Sequence, residues 1–134
     1  MKMTVTQNYE KKRLPKKVVT TSDFAGIKAG LMLYIGTPQI VADYISKIPR
    51  GETATVEKLR IQLARKNGCD AMCPVSTAIF IRIAADYAIE KMEGGLKVDE
   101  VIPFWRLLSS KDKIAKKLKI VGAWIDQQRE MEKC

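Results

Sequence analysis

Apolar residues recur at helical spacing along much of the chain, and each periodic stretch is bracketed by start and stop signals. Ile40, Val41, Tyr44, Ile45 and Ile48 trace one helix, opened by Thr37-Pro38 as cap and first turn and closed by Pro49-Arg50-Gly51. A second helix follows Thr55, with Leu59, Ile61, Leu63 and Ala64 as its apolar positions and Asn67-Gly68 as its stop. A third starts near Pro74 and runs to about Met92, before Gly94-Gly95. Its stripe of Val75, Ile79, Ile83, Ala84 and Tyr87 is widened by Ala78, Phe80, Ile81, Ala85, Ala88 and Ile89. That pattern predicts a mostly buried helix with Ser76, Thr77, Arg82, Asp86 and Glu90 facing outward.

The remaining patterns are shorter. Leu31 to Ile35 fits either a short strand or an apolar segment packed on the body. Val101 to Leu108 suits a strand, with Ser109-Ser110-Lys111-Asp112 as a turn, so one strand of a wing hairpin is expected there. Val121 to Lys133 reads as an amphipathic helix with Trp124 and Ile125 inward. Residues 1–20 are polar, basic and aperiodic, which predicts a flexible basic arm ahead of a domain over 21–134. Two helices joined by a short loop, the second opening on small polar residues, are compatible with a helix-turn-helix.

Composition narrows the chemistry. At 134 residues, with 46% hydrophobic and 29% charged residues, the chain fits one globular domain. No apolar run approaches the roughly 20 residues that span a bilayer. MKMTVTQNYEKKRLPKK holds no apolar signal core, so a cytoplasmic protein without membrane partners is expected, nucleoid-associated in a prokaryote. The absence of histidine excludes histidine-based acid–base and nucleophile-activating catalysis. Cys69, Cys73 and Cys134 supply too few ligands for zinc and argue against a disulfide framework, so neither metal nor cofactor is expected. The net charge of +9 is concentrated in Lys11, Lys12, Arg13, Lys16 and Lys17 and in Lys111, Lys113, Lys116, Lys117 and Lys119. Such runs suit a polyanion or serve as a solvated face; two of them shift the balance toward nucleic acid.

A family resemblance lies in three segments. Ile48-Pro49-Arg50-Gly51-Glu52-Thr53-Ala54-Thr55 resembles the IPxGxVxTY segment of the DNA-binding domain of methylated-DNA–protein cysteine methyltransferases. Cys73-Pro74-Val75-Ser76-Thr77-Ala78 falls where that family starts its recognition helix, and Ile102-Pro103-Phe104-Trp105-Arg106 falls where it carries its I-P-C-H-R motif. GCDAMCPVSTAIFIRIAADYA and IPFWRLL are similar to small, alkyltransferase-like members of the superfamily, over residues about 31 to 130. The resemblance implies a mainly α fold with a small β-wing, a winged helix-turn-helix that meets duplex DNA, damaged DNA included, and recruits repair proteins.

Carried across residue by residue, the motif is degenerate. Phe104 replaces the nucleophilic cysteine and Trp105 its histidine; Val56 stands for the tyrosine and Cys73 for the arginine that fills the gap left by a flipped base. A phenyl ring accepts no alkyl group, so the resemblance implies DNA binding without alkyl transfer. The DNA contacts expected are Thr53, Thr55, Cys73, Ser76, Thr77 and Arg106, with Lys111 and Lys113 added from the second lysine cluster as sequence-independent attraction, and the degenerate pocket that the resemblance implies is Pro103, Phe104, Trp105 and Arg106.

Most of these residues also have a plainer reading. Phe104 and Trp105 serve equally as core, and at most one faces a pocket if they lie on a strand. Arg106 binds phosphate or holds backbone carbonyls. Thr55 caps its helix, Ser76 and Thr77 suit a helix start, and Arg82 with Asp86 forms an i,i+4 ion pair. Cys73, before Pro74 at a helix N-terminus, is either a thiol activated for redox or alkyl-acceptor chemistry or a buried cysteine. The basic arm is open to an acidic protein or RNA partner.

Overall fold

Ahead of the first helix read from the sequence, the chain already holds ordered elements. The computed structural model describes residues 4–133, and within it α1 (Val5–Glu10) is opened by a capping box. The Thr4 hydroxyl accepts from the Gln7 N–H while the Gln7 side chain accepts from the Thr4 N–H. Tyr9 stacks on Tyr87 with centroids 4.0 Å apart, the Thr6 hydroxyl donates to Glu90, and the Arg13 guanidinium lies over the Phe80 ring. Strand β1 (Lys16–Val19) follows directly. The expected flexible arm at 1–20 is thus corrected over its described part: two aromatic rings and a capped turn dock it. Residues 1–3 lie outside the described residues.

Leu31 to Ile35 resolves as a strand, β2 (Met32–Ile35), antiparallel to β1 with Lys16 opposite Ile35 and Val19 opposite Met32. On its other edge β2 pairs in parallel with β3 (Ala71–Met72), giving a three-stranded sheet in the order β1-β2-β3. Thr37 caps α2 (Pro38–Ser46) by accepting from the Ile40 N–H, and Thr55 caps α3 (Val56–Lys66) by accepting from the Lys58 N–H. Both start signals in the sequence therefore act as read. After Cys73 the 20-residue α4 (Pro74–Glu93) runs through the centre, with α1 and α2 packed against it.

The buried face of α4 differs from the expected stripe. Thr77, Ile81, Ala84, Ala85 and Ala88 point inward, whereas Val75 and Ile79 are half exposed. Turning toward the core the side that carries three alanines lets neighbouring backbones come close, and the Thr77 hydroxyl is satisfied inside by donating to the Cys73 carbonyl. Around this face Val41, Ile45, Leu59, Leu63, Phe104, Trp105 and Ile125 complete the main core.

The segment Val101–Leu108 is not a strand. Pro103 turns the chain, Phe104–Arg106 forms one 3₁₀ turn, and the Phe104 carbonyl accepts from the Leu107 and Leu108 N–H groups. Consecutive Phe104 and Trp105 both point inward, which a strand forbids and a tight helical turn permits. They form an edge-on pair, and Phe104 stacks on Trp124 at 5.8 Å. The wing strand expected here is therefore absent, and the small sheet lies elsewhere in the chain. The last helix, α5 (Gly122–Glu132), buries Ile125 as expected while Trp124 is half-buried. Among the described residues no helix is long and apolar enough to cross a membrane.

Candidate functional site

Arg106 joins the two motif segments. Its Nε and Nη2 donate to the two carboxylate oxygens of Glu132, each at 3.0 Å, and Nη1 donates to the Ile48 carbonyl at 2.9 Å. Its own carbonyl accepts from the Ala54 N–H. The IPRG turn, the IPFWR turn and the end of α5 are therefore tied at one guanidinium. Gly51 is required at the contact: its φ is +88°, and a Cβ there would lie 3.0 Å from the Glu132 carbonyl oxygen.

The fork-to-carboxylate geometry is the strong kind of ion pair. Burial pushes the Glu132 pKa up, but hydrogen bonds from Arg106, a contribution from Trp105 and the Arg106 and Arg50 charges outweigh it and hold the carboxyl below its ordinary value. Trp105 Nε1 lies near enough to this carboxylate to contribute to that lowering, yet among the described residues the buried indole N–H has no hydrogen-bond partner. Arg50, exposed at the rim, reaches Glu132 only at 3.7 Å. Next to this knot opens a cleft of about 750 Å³, with Arg50, Ile102, Pro103, Trp105 and Gln128 in its walls. Asp99, Glu100 and Glu132 line it too, so its walls carry both signs of charge.

The proposed contacts fall into two groups. Thr53 faces a shallow cleft with Asp126, Arg129 and Lys133, and the Lys111 charge is felt at Asp126. The Ser110 hydroxyl and N–H hydrogen bonds hold Asp126 below its ordinary pKa, and Arg129 and Lys111 add to the effect. Thr53, Arg106 and Lys111 thus gather around α5; Lys113 is exposed farther along the same loop. Arg129 pins the Phe104–Arg106 turn from behind by donating to the Trp105 and Leu108 carbonyls.

Cys73, Ser76 and Thr77 sit apart, where α4 leaves the sheet. Cys73 is buried with Ile27 and Leu33, its N–H donates to the Tyr34 carbonyl, and its side chain caps nothing. Thr77 is fully buried, which corrects its expected place on an exposed turn, and Ser76 is half-buried with an unpaired hydroxyl. The Thr55 oxygen is engaged in its cap. Phe104 is fully buried, while Trp105 reaches the cleft wall. Arg82 and Asp86 pair at 3.7 Å as their spacing predicts; burial nonetheless raises the Asp86 pKa, partly offset by Arg82 and Lys119.

Sequence reasoning missed Glu132 and Arg129. Arg129 and Glu132 lie four and seven residues after Ile125, on the face that the amphipathic pattern turns inward, but their charge points to a solvated position and the sequence names no partner for them. The lysines behave differently from the arginines. Lys11, Lys12, Lys16, Lys17, Lys111, Lys113, Lys116, Lys117 and Lys119 are all exposed, and among the described residues none has a carboxylate oxygen within 4.0 Å. No family model matches the chain, and no curated protein or solved structure matches it either.

Proposed function

We propose that the chain is a non-enzymatic DNA-binding protein, linked to damage recognition or repair, that attracts the duplex backbone through its lysines. One observation carries the reading: the lysines of both clusters are exposed, and among the described residues none has a carboxylate oxygen within 4.0 Å. Unneutralised cations release counterions when they meet phosphates, and that release drives sequence-independent binding. The internal pairing of Arg106 and Arg129 supports a division of labour in which arginines build the scaffold and lysines meet the ligand.

In this reading α3 and α4 form the helix-turn-helix, and the β1–β2 hairpin, with Lys16 and Lys17 on its outer strand, takes the place of the wing. The outer face of α4 carries Val75, Ile79 and the Arg82–Asp86 pair, so it offers no cationic row for phosphates. Specific readout by that face is therefore not part of the proposal.

The test is fluorescence anisotropy of a labelled duplex against salt. If about five phosphates are neutralised, log K falls by about 4.5 per decade of salt, or roughly 500-fold between 50 and 200 mM. Replacing Lys111 or Lys113 by alanine is expected to reduce that slope by about 0.9 each, for every sequence tried. Absence of binding at low salt, or binding indifferent to salt, refutes the proposal.

A further inference from the structure

The sheet ends on an open edge. Among the described residues strand β1 pairs only with β2, and all of its residues, Lys16 to Val19, are exposed. The direction of its backbone groups follows from the neighbouring bonds. The Met32 and Tyr34 carbonyls accept from Asp70 and Cys73 and so face β3, while the Leu31 carbonyl accepts from the Thr20 N–H and faces β1. In an antiparallel ladder the directions alternate, so Lys16 and Val18 bond to β2, and the N–H and C=O of Lys17 and Val19 point outward. Among the described residues these four groups have no partner.

Side chains decide what fits this edge. Leu14, Val18 and Val19 are 69%, 43% and 53% exposed, which places apolar surface along this open strand edge. Lys11, Lys12, Lys16 and Lys17 lie close to them in the sequence, all exposed, and among the described residues none has a carboxylate oxygen within 4.0 Å. A second copy pairing antiparallel through the same edge, centred on Val18, would set each Lys17 opposite Val19 and bring two chains of charge +9 together with no carboxylate to meet their lysines, which disfavours it. An incoming strand with carboxylates beside the lysines and apolar residues beside Val18 and Val19 has none of that repulsion.

We propose that the free edge of β1 is a docking site for an extended acidic–apolar peptide segment of another protein, added as a fourth strand. The outward groups of Lys17 and Val19 supply main-chain hydrogen bonds, and the Lys-Lys-Val-Val order of the strand sets the partner's pattern. An antiparallel partner reads Val-Val-Glu-Glu across Val19 to Lys16. This site does not depend on DNA binding, although both ligands would use Lys16 and Lys17.

The experiment uses the full chain and a fluorescent synthetic peptide built around Val-Val-Glu-Glu, with no DNA present. Two further peptides keep the composition and charge but carry N-methyl groups on one or the other alternate set of residues. Strand addition is one-sided, so one N-methylated set should lose binding at least tenfold and the other should bind nearly as the parent. Equal binding of both sets shows charge attraction alone and overturns the proposal, as does failure of the parent peptide to bind at low salt. Val19→Pro supplies the protein-side check: it removes an outward N–H and leaves the β2-facing bonds of Val18. A folded Val19→Pro variant that binds as the unsubstituted chain does also overturns it.

Discussion

Removing the Glu132 carboxylate should be among the most damaging single changes available outside the apolar core. In Glu132→Ala the Arg106 fork loses both carboxylate bonds, while its side chain, 16% exposed, stays largely out of water. Breaking a buried pair from one side costs about 3–5 kcal/mol, because a charge is left uncompensated. A chain of 134 residues has a total stability of roughly 7–20 kcal/mol at 0.05–0.15 per residue, so the loss is a large share of the whole. Arg50→Ala is the control: its contact is longer and its side chain 63% exposed, so the expected cost is below about 1 kcal/mol. Urea unfolding followed by tryptophan fluorescence reads both, since Trp105 and Trp124 lie in the adjoining aromatic cluster. The pH dependence has a definite sign. The Glu132 pKa is lowered by folding, so its contribution is complete above the unfolded glutamate pKa of about 4.3 and is lost as pH falls through the lower folded value. A Glu132→Ala loss under about 1 kcal/mol at neutral pH, or a deficit that fails to shrink in acid, would refute the reasoning.

Two other substitutions probe neighbouring features. Asp86 is held with a raised pKa by burial, so its ionised form weakens the fold at neutral pH; Asp86→Asn should raise the midpoint of thermal unfolding there, with the gain fading as the pH falls through the raised folded value and gone below the unfolded aspartate pKa of about 3.9. Phe104→Ala should cost about 3–5 kcal/mol in urea unfolding, since the ring is fully buried against Trp105 and Trp124; a cost below about 1 kcal/mol would mean that the ring does not fill that space.

Elements with both a cap and a long period were legible in the sequence. Thr37-Pro38, Thr55 and Gly94 bound their helices close to where they were read, because capping and glycine chemistry act locally. Elements fixed by tertiary contact were not. The helix α1 is six residues long and signalled only by Thr4 and Gln7; its place comes from Tyr9 meeting Tyr87, far along the chain. Val101–Leu108 is a short apolar run of the kind that periodicity cannot assign, and the turn at Pro103 decided it. On α4 the apolar residues surround the helix so broadly that its inward side depended on what packs there, and Thr77 went inside because its hydroxyl has a carbonyl four residues back. The candidate site divides the same way. Arg106 stands out in the sequence, whereas Glu132, its partner, does so only once α5 is docked.

The Arg106 knot also has a consequence for time. It brings together positions separated by 58 residues on one side and 26 on the other, so little of it can form before most of the chain has collapsed. Interactions completed after the folding barrier govern how long the native state lasts rather than how quickly it is reached. The pair at Glu132 is thus a latch on lifetime: its loss should appear in stopped-flow kinetics as faster opening of the fold, with the rate of closing scarcely altered.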